Sequence, residues 1–153
     1  GAVQWNLLFI IYGMLGMGLA MEETGASLWL AESLTGTVTG IVAPNWQPYI
    51  MLACVYLLTN LLTESLSNNA AAVLMATLAI GIAESLGVSV RPFLFAVAIA
   101  ASSSFATPIG YQTNTYVHGA GGYRFSDFTK AGLPLNLLCF AISIFLIPLI
   151  WEF

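Results

Sequence analysis

Between two apolar runs, residues 49–62 and 70–83, the chain carries Thr63-Glu64-Ser65-Leu66-Ser67-Asn68-Asn69, a cluster of hydroxyls and amides with one carboxylate. Each polar group left unsatisfied in an apolar phase costs several kcal/mol, roughly. The chain is 59% hydrophobic and 7% charged, far from the roughly 25% charged that is typical of soluble domains. Such a chain keeps a polar cluster only where its groups have partners or a use. A second cluster, Thr107-Pro108-Ile109-Gly110-Tyr111-Gln112-Thr113-Asn114, interrupts the next apolar run. Two helix interruptions of this kind are what secondary transporters use to hold a solute beside its coupling ion.

The uncharged stretches 33–63, 93–123 and 131–151 reach or exceed the ~20 residues needed to cross hydrocarbon. The expected class is an all-α integral membrane protein, placed in the bacterial inner (cell) membrane, with no enzymatic role and no nucleic-acid partner. The net charge of −4 decides little when so few charges exist. The chain opens Gly-Ala-Val-Gln, without Met or a basic leader, and no repeat recurs within it. The reading that follows is one half of an inverted-repeat transporter fold over residues 1–153. Cys54 and Cys139 sit inside apolar segments without neighbouring Cys or His and read as space-filling thiols.

Five segments are predicted. A spanning helix covers about 4–22, with Trp5 and Glu22-Glu23 at opposite interfaces. An amphipathic helix lies in the interface over about 24–36. A re-entrant helical hairpin runs over about 44–86, its tip at 63–69. The tip lacks the Lys, Arg, Gly and Pro of a water-exposed loop and has the Ser, Thr and Asn that satisfy backbone buried in protein. A broken transmembrane helix follows over about 91–121, opened by Arg91-Pro92 and interrupted by Pro108 and Gly110 after a helical stretch over 93–106. The last helix covers about 129–152, with Ser126 and Asp127 as its cap. Arg124 and Lys130 place the connection before it in the cytoplasm by the positive-inside tendency.

A hairpin tip beside a broken helix brings helix N-termini and C-termini to the same depth. N-termini, near Asn69 and Thr115, favour an anion; C-termini, near Leu62 and Phe105, favour a cation. Neither cluster holds Lys or Arg, so an anion at that depth needs a co-bound cation. Hard oxygen ligands for it are the Thr63 hydroxyl, the Asn68 amide oxygen and backbone carbonyls near Leu66 and Gly110. Ser67, Asn68 and Asn69 could alternatively serve as an ordinary helix cap. Glu64 is an intramembrane carboxylate, hence a functional candidate, or else a buried strut bracing the hairpin or a protonated carboxyl. His118 reads as a packed or interfacial histidine.

These residues, with Gly121-Gly122-Tyr123-Arg124-Phe125-Ser126-Asp127-Phe128 and the opening Leu7-Leu8-Phe9 through Glu23-Thr24-Gly25, resemble the divalent anion:sodium symporter family, also called the sodium/sulfate symporter family. The resemblance covers almost the whole chain and matches that family's C-terminal repeat. It implies Ser67, Asn68 and Asn69 as substrate-binding residues, with Asn69 standing where the family's signature has Thr. It implies Thr63, Leu66, Asn68 and Gly110 as sodium ligands. Tyr111, Gln112, Thr113 and Asn114 complete the substrate wall, and their wording looks more like sulfate-type permeases than dicarboxylate carriers. The expected function is sodium-coupled symport of a divalent anion, sulfate first and a dicarboxylate next. Sodium is the coupling ion and no other cofactor is expected. The expected partners are the lipid bilayer, an N-terminal repeat of the same protein, and a second copy in a homodimer.

Three alternatives stand beside it. An arsenite-efflux or sodium/proton antiporter of the same superfamily would need a titrating carboxylate, and only Glu64 could supply one. An intramembrane hydrolase could be assembled from Ser67, His118 and Asp127. A non-transporting membrane scaffold would have dry, fully bonded polar clusters.

Overall fold

The computed structural model describes residues 9, 12–13, 16, 19–21 and 23–153. The spanning helix expected over 4–22 therefore lies largely outside the described residues. Those that are described form six α-helices after Gly25: α1 (Ala26–Thr39), α2 (Gln47–Thr63), α3 (Asn68–Leu86), α4 (Arg91–Ser102), α5 (Gln112–Gly121) and α6 (Phe125–Ile150), with a short 3-10 helix, Pro44–Trp46, leading into α2. No strand occurs among the described residues.

Helix starts and stops follow local chemistry. Pro48 and Pro92 occupy the first turns of α2 and α4, where a missing N–H costs nothing. Helix α3 ends on Gly87, which adopts φ 67°. Its N–H donates to the Glu84 carbonyl, and Val88 N–H donates to the Ala83 carbonyl, both at 3.0 Å. That pair closes a Schellman motif, for which a left-handed glycine is the low-strain choice.

Two expectations need correcting. Helix α6 starts at Phe125, and its N-cap is Arg124 rather than Ser126. Asp127 does cap the helix, but from the third position, its carboxylate accepting the Arg124 N–H at 2.8 Å. Helix α4 ends at Ser102, not near Ala106 as expected from Pro108 and Gly110. Its last turn is undone by tertiary hydrogen bonds described below.

The core is a three-helix packet of α2, α3 and α4, with α1 laid on α3 and α6 across α2 and α4. Buried positions recur at helical spacing: Met51, Leu52, Val55, Tyr56, Thr59 and Thr63 on α2, and Phe93, Ala96, Val97, Ala100 and Ala101 on α4. Lipid is as apolar as these side chains, so close packing and interhelical hydrogen bonds must hold such helices together. Ala79 and Ala83 on α3, with Ala96 and Ala100 on α4, are fully buried and small enough for close approach. The Thr35 and Ser85 hydroxyls bond at 3.0 Å between α1 and α3. Asn60 Nδ2 donates to the Ser103 carbonyl at 2.6 Å, joining α2 to the end of α4. Each such bond contributes on the order of 0.6 kcal/mol in a membrane setting. Helices α3 and α6 are long and apolar enough to cross a membrane. Helix α5 has no buried residue and stands off the packet.

Candidate functional site

The tip between α2 and α3 is only four residues long, 64–67. Ser65 N–H and Leu66 N–H both donate to the Leu62 carbonyl, at 3.0 and 2.8 Å, tightening the end of α2. Ser67 is extended and its hydroxyl accepts the Ala70 N–H at 3.3 Å. Of the three residues weighed as a cap, Ser67 alone caps; Asn68 and Asn69 already belong to α3.

Thr63 faces inward and is fully buried. Its Oγ1 lies 2.8 Å from Asn68 Oδ1 and 2.7 Å from the Ala101 carbonyl oxygen. One hydroxyl proton cannot serve both acceptors, so three oxygens crowd one point with a single hydrogen among them. The Leu66 and Gly110 carbonyls lie outside the helices and accept no hydrogen bond from the described residues. These are hard oxygen donors of the kind a sodium-sized cation takes.

Glu64 ties the tip to the break in the next helix. Its Oε1 accepts Phe105 N–H at 3.1 Å, Ala106 N–H at 2.9 Å and Asn136 Nδ2 at 2.7 Å. Its main-chain carbonyl accepts the Thr107 hydroxyl at 2.7 Å, and Thr107 Oγ1 in turn accepts Gly110 N–H at 3.2 Å. Ser104 Oγ donates to the Thr63 carbonyl at 3.1 Å. This explains the early end of α4. Two N–H groups that would continue the helix donate instead to the Glu64 side chain, and a net intramolecular hydrogen bond contributes about 0.5–1.5 kcal/mol. Of the roles open to Glu64, the geometry is that of a strut. No ion pair engages it among the described residues. Its Oε2 and the Asn136 Oδ1 are buried without hydrogen-bond partners among the described residues.

Residues 103–111 form an unwound connector packed on the tip. Asn114 Nδ2 donates to the Ser104 and Thr107 carbonyls, at 2.9 and 3.2 Å, so this residue shapes the connector from the first turn of α5. Gly110 is buried against the tip: a Cβ there would meet Ser104 Oγ, the Thr63 carbonyl and Glu64 Cα. The C-termini of α2 and α4 and the N-termini of α3 and α5 thus converge on one place. Partial positive and negative helix charges lie side by side there.

The remaining residues face outward. Ser67, Asn69, Tyr111, Gln112 and Thr113 are exposed and Asn68 is half-buried. Asn69, Tyr111, Gln112 and Thr113 make no side-chain hydrogen bond with the described residues. The three residues of the hydrolase alternative are engaged separately: Ser67 caps α3, Asp127 caps α6, and the His118 ring rests 5.9 Å from that of Phe128.

Ser104, Asn136 and the Ala101 carbonyl belong to this site but stand outside the residues singled out in the sequence. Asn136 did leave a signal, as the one carboxamide in the apolar run 131–151. Its partner, 72 positions away, left none.

A family model described as citrate transporter matches residues 1–100. An uncharacterized transporter of Synechocystis sp. is 44% identical over 154 residues, covering 99% of this chain and 24% of that relative. An uncharacterized transporter of Escherichia coli is 36% identical over 152 residues, with 99% and 24% covered. Sodium/sulfate cotransporter 1 of Chlamydomonas reinhardtii is 28% identical over 146 residues, with 95% and 16% covered. The chain spans about a quarter or less of the length of these relatives.

Proposed function

This chain belongs to the citrate transporter family, and we propose from that premise that it forms one repeat of a sodium-coupled symporter for a divalent anion, sulfate in the first place and a dicarboxylate next. The observation that carries the reading is the convergence of four helix ends on a polar knot whose outward side chains at Asn69, Tyr111, Gln112 and Thr113 make no hydrogen bond with the described residues. An anion there would be met by the N-termini of α3 and α5 and by donors from Ser67, Asn68, Asn69, Gln112 and Thr113, with Tyr111 and Asn114 closing the wall. Sodium would be met by Thr63 Oγ1, Asn68 Oδ1 and the carbonyls of Leu66 and Gly110 at the C-terminal ends. Neither cluster contains Lys or Arg. Co-binding of the two ions therefore neutralises what neither could neutralise alone, which is the physical basis of coupling.

Helix α4 has 12 residues, or about 18 Å at ~1.5 Å per residue. Starting from an interface, it ends inside a ~30 Å hydrocarbon layer. The α2–α3 tip, bonded to that end, lies at the same depth as a re-entrant hairpin, with Arg124 and Lys130 on the cytoplasmic side. A second repeat of the same protein supplies the other wall, in a homodimer at the cell membrane. The relative named as a sodium/sulfate cotransporter favours sulfate; the family description favours a carboxylate.

The test is flux through the full-length transporter with sulfate, succinate and citrate at varied sodium. Sodium-dependent uptake of one of these is expected. Asn68→Ala should weaken both sodium and anion half-saturation about ten- to a hundredfold, the cost of one hydrogen bond to a charged group. Unchanged half-saturation for both ions would remove Asn68 from the site.

A further inference from the structure

The last helix carries three consecutive contacts to the break and the tip, all on one face. Thr129 Oγ1 donates to the Ala106 carbonyl at 3.2 Å. One turn on, Gly132 is buried so closely against the connector that a Cβ would run into the Phe105 carbonyl and Ala106 Cα. A further turn on, Asn136 donates to Glu64 Oε1 at 2.7 Å. Spacings of three and four residues put all three positions on the same side of α6. Hydroxyl, bare backbone and amide therefore grip Ala106, Phe105 and Glu64 in turn.

Asn136 is the part of this grip that reaches the tip itself. Its amide shares Glu64 Oε1 with the Phe105 and Ala106 N–H groups. A single oxygen thereby joins α6, the connector and the tip. Glu64 directly follows Thr63, whose hydroxyl meets Asn68 and the Ala101 carbonyl. Any shift of the Glu64 carboxylate changes how Thr63 and the connector face each other. Both Glu64 and Asn136 are more than nine-tenths buried, at 8% and 6% exposure. Each also keeps one acceptor without a partner among the described residues. A joint built only for stability would more cheaply be apolar, because unmatched buried polar groups destabilise.

We propose that Asn136 is a positioning residue which, acting through Glu64, sets the spacing between the hairpin tip and the helix break and thereby the affinity for the coupling cation. The proposal rests on the sodium-coupled reading above for its last step, and on the geometry alone for the spacing.

The experiment uses the full-length transporter in a cysteine-free background and has two readouts. In flux assays, Asn136→Ala should raise the sodium half-saturation up to about tenfold, as for one lost hydrogen bond, while the anion half-saturation at saturating sodium stays within about twofold. Glu64→Ala, which also releases the Phe105 and Ala106 N–H groups, should raise it at least as far, and the double variant should be no worse than Glu64→Ala alone, because Asn136 acts through that joint. Glu64→Gln keeps the Oε1 acceptor and should restore most of the sodium affinity. In a separate readout, a cysteine at the exposed Ser65 should be modified several-fold faster when Asn136 is Ala, with or without sodium, since the tip is less tightly held.

An unchanged sodium half-saturation, with only the amount of transporter reduced, would overturn the proposal in favour of a purely structural bond. So would Glu64→Gln being as damaging as Glu64→Ala, which would assign the effect to the carboxylate charge itself. If the wild type shows no sodium-dependent flux at all, the symporter reading falls. The cysteine rate then decides the spacing claim alone, faster modification supporting it and an unchanged rate overturning it.

Discussion

Gly110 owes its identity to contact rather than to conformation. Among the described residues the positive-φ glycines are Gly25, Gly87 and Gly122, so the backbone at Gly110 would accept other residues. Space would not: a Cβ would stand 2.6 Å from the Thr63 carbonyl and 3.1 Å from Glu64 Cα, and against Ser104 Oγ. Two of these are backbone atoms of the tip, which cannot swing aside. Gly110→Ala in the full-length transporter should therefore lose about 1–3 kcal/mol to overpacking, read as a lower thermal-unfolding midpoint in detergent, with transport falling in parallel. An unchanged midpoint would mean that tip and connector are not packed together. The sequence marked Gly110 as a helix breaker beside Pro108. That it seats the tip required knowing what lies opposite. Ser67, Asn68 and Asn69 make a similar case. As residue types they are interchangeable cap formers, and only the placement of the α3 start leaves Ser67 as the cap and frees the Asn69 amide.

Among the elements, α4 shows how far local rules reach. Its start at Arg91-Pro92 was legible from proline at a first helical turn. Its end was not. Proline disfavours helix at the residue before it, which points to a stop near Thr107, yet α4 stops at Ser102. The Glu64 carboxylate takes the Phe105 and Ala106 N–H groups, and Asn60 takes the Ser103 carbonyl. Long-range partners outcompete one more helical turn. The depth at which this happens is testable. A cysteine at Ser65, in the full-length transporter, should be modified by a membrane-impermeant reagent from one side only, and substrate should slow the reaction. Free modification from the opposite face, independent of substrate, would mean that α2 and α3 are two complete spans joined by an exterior loop.

At the scale of the whole molecule, the described residues expose a wide apolar surface. On α6, Leu137, Phe145 and Leu149 are each at least 62% exposed, and α5 packs on none of the other helices closely. Side chains of this kind need lipid or further protein against them. On the function proposed above, the other wall of the site comes from a second repeat. Residues 1–153 reconstituted alone should therefore give no sodium-dependent anion uptake, whereas the full-length transporter should. Uptake by these residues alone would show that they build a complete site and would end the one-repeat reading.

The all-helical class, the apolar runs long enough to cross a membrane and the two polar interruptions were all legible in the chain itself. They depend on composition and on spacing along one segment, which physical rules relate directly to structure. The start of α4 was legible for the same reason, because proline chemistry acts within a turn. What only the tertiary structure decided is where the interruptions meet and what joins them. Glu64 reaches Phe105, Ala106 and Asn136 across 41, 42 and 72 positions. A hydrogen bond has no sequence signature at such separations, since its strength depends on distance in space and its partners are common residue types. Asn136 therefore reads as a stray amide in an apolar helix until the fold sets it beside the one carboxylate at the tip.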